Sequence, residues 1–102
     1  MKTVVHIISH SHWDREWYMA FEQHRIKLVD LIDQSMELFE KDAAFRSFHL
    51  DGQTIVMDDY LEIKPQNRER LKKHVREGRF SAGPWYILQD EFLTSGEANV
   101  RN

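Results

Sequence analysis

His12 and Asp14 are the residues best placed by type and spacing to do chemistry. They set an imidazole and a carboxylate one position apart in the run His10-Ser11-His12-Trp13-Asp14. In an extended backbone, residues two apart project to the same side, so both side chains can reach one cation, and His10 shares their phase. Neutral imidazole and carboxylate are donors that zinc and similar divalent ions accept. Two or three ligands from one loop leave a centre incomplete, because catalytic zinc usually keeps about three protein ligands and an open position. An H-x-D pattern also arises by chance, so its meaning depends on where the fold puts it. Asp51-Gly52-Gln53 and Gln89-Asp90-Glu91 are two further polar clusters. Asp51, Asp90 and Glu91 could act as ligands, acids or partners of sugar hydroxyls, the ordinary alternative being turn capping or solvation. Trp13, Trp17, Tyr18 and Phe21 crowd the first cluster, and Trp85-Tyr86 stands near the third. Aromatic faces beside carboxylates suit a sugar, whose C–H face stacks on a ring while its hydroxyls take charged hydrogen bonds. On this reading Trp17 contacts ligand, while Tyr18 and Phe21 pack as core. His6 is expected to be a hydrogen-bonded core histidine, and His24, His49 and His74, without an acidic companion at ligand spacing, receive no role.

The elements that must position these clusters can be read from periodicity. Val4, Val5, Ile7 and Ile8 form an apolar run that predicts a central strand covered on both faces. From 21 to 40 the period becomes helical: Phe21, Leu28, Val29, Ile32, Met36 and Phe39 share a stripe, and Glu22, Lys27, Asp30, Asp33, Glu37 and Glu40 face away. A second strand is expected over 45–50, ending at Asp51-Gly52-Gln53. A short helix over 55–63 stops at Pro65, and another helix over 65–77, anchored by Leu71 and Val75, stops at Gly78. A third strand is expected over 79–88, kinked at Gly83-Pro84. Thr94-Ser95-Gly96-Glu97 fits a capping box, opening a helix that the chain end cuts short. The fold class predicted is α/β, a βαβαβ portion of a larger parallel domain. In such folds the carboxyl ends of the strands converge on one edge, so the three polar clusters would face one cleft.

Composition narrows the partners. The 102 residues are 41% hydrophobic and 30% charged, enough for one modest core. A net charge of -3, with 14 basic against 17 acidic residues interspersed, gives no footprint for nucleic acid or an anionic membrane. The absence of cysteine removes disulfides, zinc knuckles and thiol catalysis, leaving any metal to His, Asp and Glu. The first apolar run is too short for a signal sequence, and no stretch approaches the ~20 residues needed to span a bilayer. A cytoplasmic, soluble protein is expected.

The run Ile8-Ser9-His10-Ser11-His12-Trp13-Asp14-Arg15-Glu16-Trp17 resembles the opening of family 38 glycoside hydrolases, the α-mannosidases, in its bacterial form. Asp51-Gly52-Gln53, Gly83-Pro84-Trp85-Tyr86 with Asp90-Glu91, and Glu97-Ala98-Asn99-Val100-Arg101-Asn102 resemble later pieces of the family in the same order. The resemblance implies a retaining α-mannosidase, built as an irregular barrel of parallel strands and helices around one zinc ion, acting on a mannoside. It implies His12 and Asp14 as zinc ligands and Trp17 as the aromatic wall of the sugar site; Asp51, Trp85 and Asp90 are expected on the substrate side from their placement at the second and third strand exits. It further implies that the nucleophile, the acid/base and another histidine ligand lie beyond Asn102, so that residues 1–102 alone are expected to be inactive and prone to self-association through exposed sheet edges. Two other readings stay open at this point. One is a metal-dependent deacetylase or amidohydrolase using His10 and His12; the other is a noncatalytic carbohydrate-binding domain presenting Trp17 and Trp85.

Overall fold

The computed structural model describes residues 1–102. Its longest element, α1, spans Phe21–Lys41 and contains no glycine or proline to interrupt it. Leu28, Ile32, Met36 and Phe39 recur at helical spacing and are buried, together with His24 and Ser35. Glu22 in the first turn and Lys41 in the last complement the helix dipole. α1 is followed by β1 (Phe48–His49), α2 (Ile55–Ile63), a 3-10 turn at Pro65–Asn67, α3 (Arg68–Arg76), β2 (Phe80–Ser81) and α4 (Gly96–Arg101). α3 ends in a Schellman motif: Gly78 N–H donates to the Val75 carbonyl and Arg79 N–H to that of His74, with Gly78 at φ +71°. The expected stop at Gly78 is thus met by the residue best able to adopt that conformation.

β1 and β2 pair in parallel, with Phe48 opposite Phe80 and His49 opposite Ser81. A parallel bridge joins His10 to His49, and another joins Gln53 to Trp85 beyond the bend at Gly83-Pro84. The spatial order is therefore residues 9–11, then β1, then β2, all running the same way. The core gathers Leu28, Ile32, Met36 and Phe39 of α1, Leu50 after β1, Val56 and Tyr60 of α2, Leu71 of α3 and Phe80 of β2. Phe39 joins helix to sheet: its ring meets Phe80 edge-on at 4.8 Å and stacks on Phe45 at 5.2 Å. Each such buried side chain is worth about 1.5–3 kcal/mol relative to exposure. No helix is long and apolar enough to cross a membrane.

The parallel α/β layout and the helices over 21–40 and 55–63 agree with expectation; other elements do not. Residues 4–8 form no strand, and Val4, Val5, Ile7 and Ile8 are 67–91% exposed. Pairing reaches upstream only as far as Ser9, whose carbonyl accepts from His49 N–H, and no element packs over the apolar run. His6, expected in the core, is exposed for the same reason. The second and third strands shorten to Phe48–His49 and Phe80–Ser81, and downstream of each the backbone leaves the extended region at Asp51 (φ +96°) and Gly83 (φ +101°). The predicted helix over 65–77 is shortened, a 3-10 turn occupying Pro65–Asn67 and α3 beginning at Arg68, and it buries His74, whose Nε2 lies 3.2 Å from Glu40, beside Leu71 while Val75 stays 39% exposed. Asp33 and Glu40 do not simply face solvent. Tyr60 O–H donates to Asp33 at 2.6 Å, Lys64 pairs with Asp33, and Arg70 forks onto Glu40 through two 2.7 Å bonds. Burial first, then the bond to Asp33, pushes the Tyr60 phenol up to about 12. At α4 the cap falls one residue late: Ser95, in extended conformation, accepts from Ala98 N–H, while Thr94 donates to Asn99 and Glu97 pairs with Arg101.

Candidate functional site

The three strand exits do converge, and side chains tie them together. Trp13 is held at both ends of its peptide: its N–H donates to Asp51 Oδ2 at 2.7 Å, and its carbonyl accepts from Gln53 Nε2 at 2.6 Å. The oxygen of the same Gln53 amide accepts from Leu88 N–H at 3.2 Å, so one buried side chain joins the first exit to the third. Asp51 also accepts Gly52 N–H on Oδ1 at 2.8 Å, which stabilises the left-handed turn that an Asp tolerates better than most residues. Trp85 and Gly52 exchange a further backbone bond of 3.0 Å.

Within the first exit, Trp13 and Arg15 are anchored against α1 and α2. Trp13 lies against His24, ring centroids 4.3 Å apart, and Arg15 forks onto the buried Asp59 of α2 at 2.6 and 3.1 Å. The bond to Asp59 dominates in raising the Arg15 pKa above its ordinary value. His12 and Asp14 are more open, with side chains 70% and 42% exposed and His12 Nε2 3.4 Å from Asp14 Oδ1. The 3.4 Å separation is that of an ion pair, and it also matches the roughly 3.4 Å between two ligands at ~2.0–2.2 Å from one tetrahedral ion. No group of three or more His, Asp or Glu side chains converges in the chain. The His10 ring turns to the Ser11 carbonyl at 3.1 Å. Beside the pair lies a cleft of about 110 Å³ lined by Trp13, Asp14, Arg15, Glu16, Gln53, Ile87 and Leu88.

The remaining candidates are dispersed. Trp17 stands 75% exposed outside this cleft, and Tyr18, expected in the core, is 73% exposed with its ring 6.3 Å from His24. Phe21 is half-buried between the guanidinium groups of Arg15 and Arg25, at 4.6 and 5.2 Å. Trp85 is half-buried at the Gln53 bridge. Asp90 accepts Phe92 N–H at 3.1 Å, and its carbonyl accepts from Leu93 and Thr94, so it organises the turn before α4. Sequence reasoning missed Gln53 and Asp59 as the residues that hold this site. Gln53 had a signal, an amide beside a turn glycine; Asp59 had none, because its partner lies 44 positions away.

Comparison with known proteins covers the whole arrangement. Residues 2–102 match the model of the glycosyl hydrolases family 38 N-terminal domain. A protein of Halalkalibacterium halodurans named "Putative mannosylglycerate hydrolase" is 62% identical over all of this chain, which spans 11% of that protein's length. The crystal structure of an α-mannosidase from Enterococcus faecalis superposes on 93% of this chain with a TM-score of 0.89 and 56% identity, the match covering 11% of that structure. A second Enterococcus faecalis structure, of a family 38 glycosyl hydrolase, matches 93% of this chain and 11% of its own, with a TM-score of 0.83 and 52% identity. With the motif at the first strand exit, the parallel order and these matches in agreement, the chain belongs to glycosyl hydrolase family 38, as part of the family's N-terminal domain.

Proposed function

We propose that the protein to which these residues belong is a zinc-dependent, retaining glycosidase acting on terminal α-mannosides, and that this chain is a βαβαβ portion of its irregular parallel barrel. One observation carries the reading: His12 and Asp14, side by side at 3.4 Å on the open face of a strand exit. A relative named for mannosylglycerate and a structural neighbour that is an α-mannosidase share the mannosyl unit, which supports it as the group recognised. His12 and Asp14 would hold zinc, which when bound supplies Lewis-acid polarisation of sugar hydroxyls. Trp17, exposed next to the pair in sequence, would offer its ring face to the sugar. Asp51 and Trp85 serve the site by fixing the second and third exits around the cleft, and Asp90 by shaping the turn beyond it. Retention requires two carboxyl groups about 5–5.5 Å apart. We assign that pair to residues outside this chain, so residues 1–102 alone are expected to hydrolyse nothing.

The test uses the full-length protein with an aryl α-mannoside, following product stereochemistry by NMR. α-Mannose released with retained configuration, lost on chelation and restored by zinc, is expected; His12→Ala and Asp14→Ala should each lose more than about tenfold in metal affinity. Hydrolysis indifferent to chelator, or full metal affinity in Asp14→Ala, would overturn the assignment.

A further inference from the structure

We infer that Asp59 is a positioning residue for the His12–Asp14 pair: through its two-point bond to Arg15 it fixes the direction in which both side chains leave the first strand exit. The inference rests on the proposed metal role of that pair. Asp59 sits on α2, 5% exposed, and both its oxygens accept from the Arg15 guanidinium. Arg15 is itself only partly exposed, its ring neighbour being Phe21 at 4.6 Å. Residues 13 and 15 flank Asp14 in the chain, so anchoring both fixes the short backbone segment from which His12 and Asp14 project. Residue 13 is held through its backbone by Asp51 and Gln53. Residue 15 is held by Asp59 through its side chain and by His24, whose Nδ1 lies 3.3 Å from the Arg15 carbonyl. Of these anchors the Asp59 bond is the one with fork geometry and charge on both partners, and so the most directional. Groups that orient metal ligands typically change metal affinity by roughly ten- to a hundredfold when lost.

The protein supplies its own control. Glu40 and Arg70 form a second bidentate pair, with bonds of 2.7 Å each, between α1 and α3 rather than at the exit. Zinc dissociation constants of the full-length protein, measured by competition with a chromophoric chelator, should rise roughly ten- to a hundredfold in Asp59→Asn. Asp59→Glu, which keeps the carboxylate, should recover most of that loss, and Glu40→Gln should leave zinc binding as in the parent. Wild-type affinity in Asp59→Asn, or an equal loss in Glu40→Gln, overturns the inference, since the pair would then contribute only general stability. Should Asp59→Asn fail to fold by circular dichroism, Arg15→Lys, which keeps charge but loses the fork, must show the same weakening; unchanged affinity there overturns it. His12→Ala separates the two levels. If it retains zinc, the metal reading falls and takes the inference with it; if it loses zinc while Asp59→Asn does not, the inference alone falls.

Discussion

The helical half of the molecule and its strand-exit half are held by different physics. Around α1, α2 and α3, side chains such as Leu28, Ile32, Met36, Val56, Tyr60 and Leu71 are at most 3% exposed, and apolar burial dominates the packing, with the Tyr60–Asp33 and Arg70–Glu40 bonds beside it. At the other extreme Val4, Ile7, Phe92, Leu93 and Val100 stand 73–92% exposed, and the loops keep their places through polar side chains: Asp51, Gln53, Asn99 and Asn102. Asn102 shows how far this goes, its amide bonding both the N–H and the carbonyl of Ile87 as a neighbouring strand would. Burial of apolar surface is tolerant of small displacements, whereas hydrogen bonds demand angle and distance. The half that must place ligand atoms is the half held by directional bonds.

The contrast breaks most visibly at Ile32, which is fully buried. Ile32→Ala should cost about 2–5 kcal/mol in urea unfolding, while Phe92→Ala, on a side chain 92% exposed, should stay within about 0.5 kcal/mol. Comparable losses at the two positions would erase the distinction. Gln53→Ala comes next, at about 1–3 kcal/mol, because it orphans the Trp13 carbonyl and the Leu88 amide. Amide exchange should quicken at Leu88 while the α1 amides keep their protection; uniform acceleration would mean that the two halves unfold as one. The smallest effect concerns Glu40. The hydrogen bond from Arg70, with a lesser one from His74, holds its carboxyl down from 4.5 to about 2 against the opposing effect of desolvation. A depressed folded-state value means stability that is fully present above about 4.5 and lost as acid protonates the group toward about 2. With the carboxylate side chain 42% exposed, solvent screening reduces this to the order of 1 kcal/mol. Glu40→Gln should therefore flatten the acid limb of the stability profile between those pH values; an unchanged slope would place the acid sensitivity elsewhere.

What the sequence made legible follows the same division. The stripe of α1, the glycine stop at Gly78 and the shared phase of His12 and Asp14 are local patterns, and each appears in the structure. The run Val4 to Ile8 was misleading because its composition reports a need for cover on both faces, which nothing within residues 1–102 meets. Tyr18, read as core from the crowding of aromatics at the first loop, and Val75, placed inside by its spacing from Leu71, are both exposed, and His74 takes the buried position next to Leu71, its Nε2 reaching Glu40 at 3.2 Å. The bond between Arg15 and Asp59 was invisible for a different reason: two oppositely charged residues in a chain that is 30% charged carry no mark of their pairing until α2 is folded against the first exit.

The Gln53 amide has one more property of consequence. It is uncharged, and it joins the first and third exits through a donor on one side and an acceptor on the other. Neither acid nor added electrolyte can loosen such a link as they loosen an ion pair. The gap between Trp13 and Leu88, and with it the width of the cleft, is therefore bridged by a neutral spacer rather than by an ion pair.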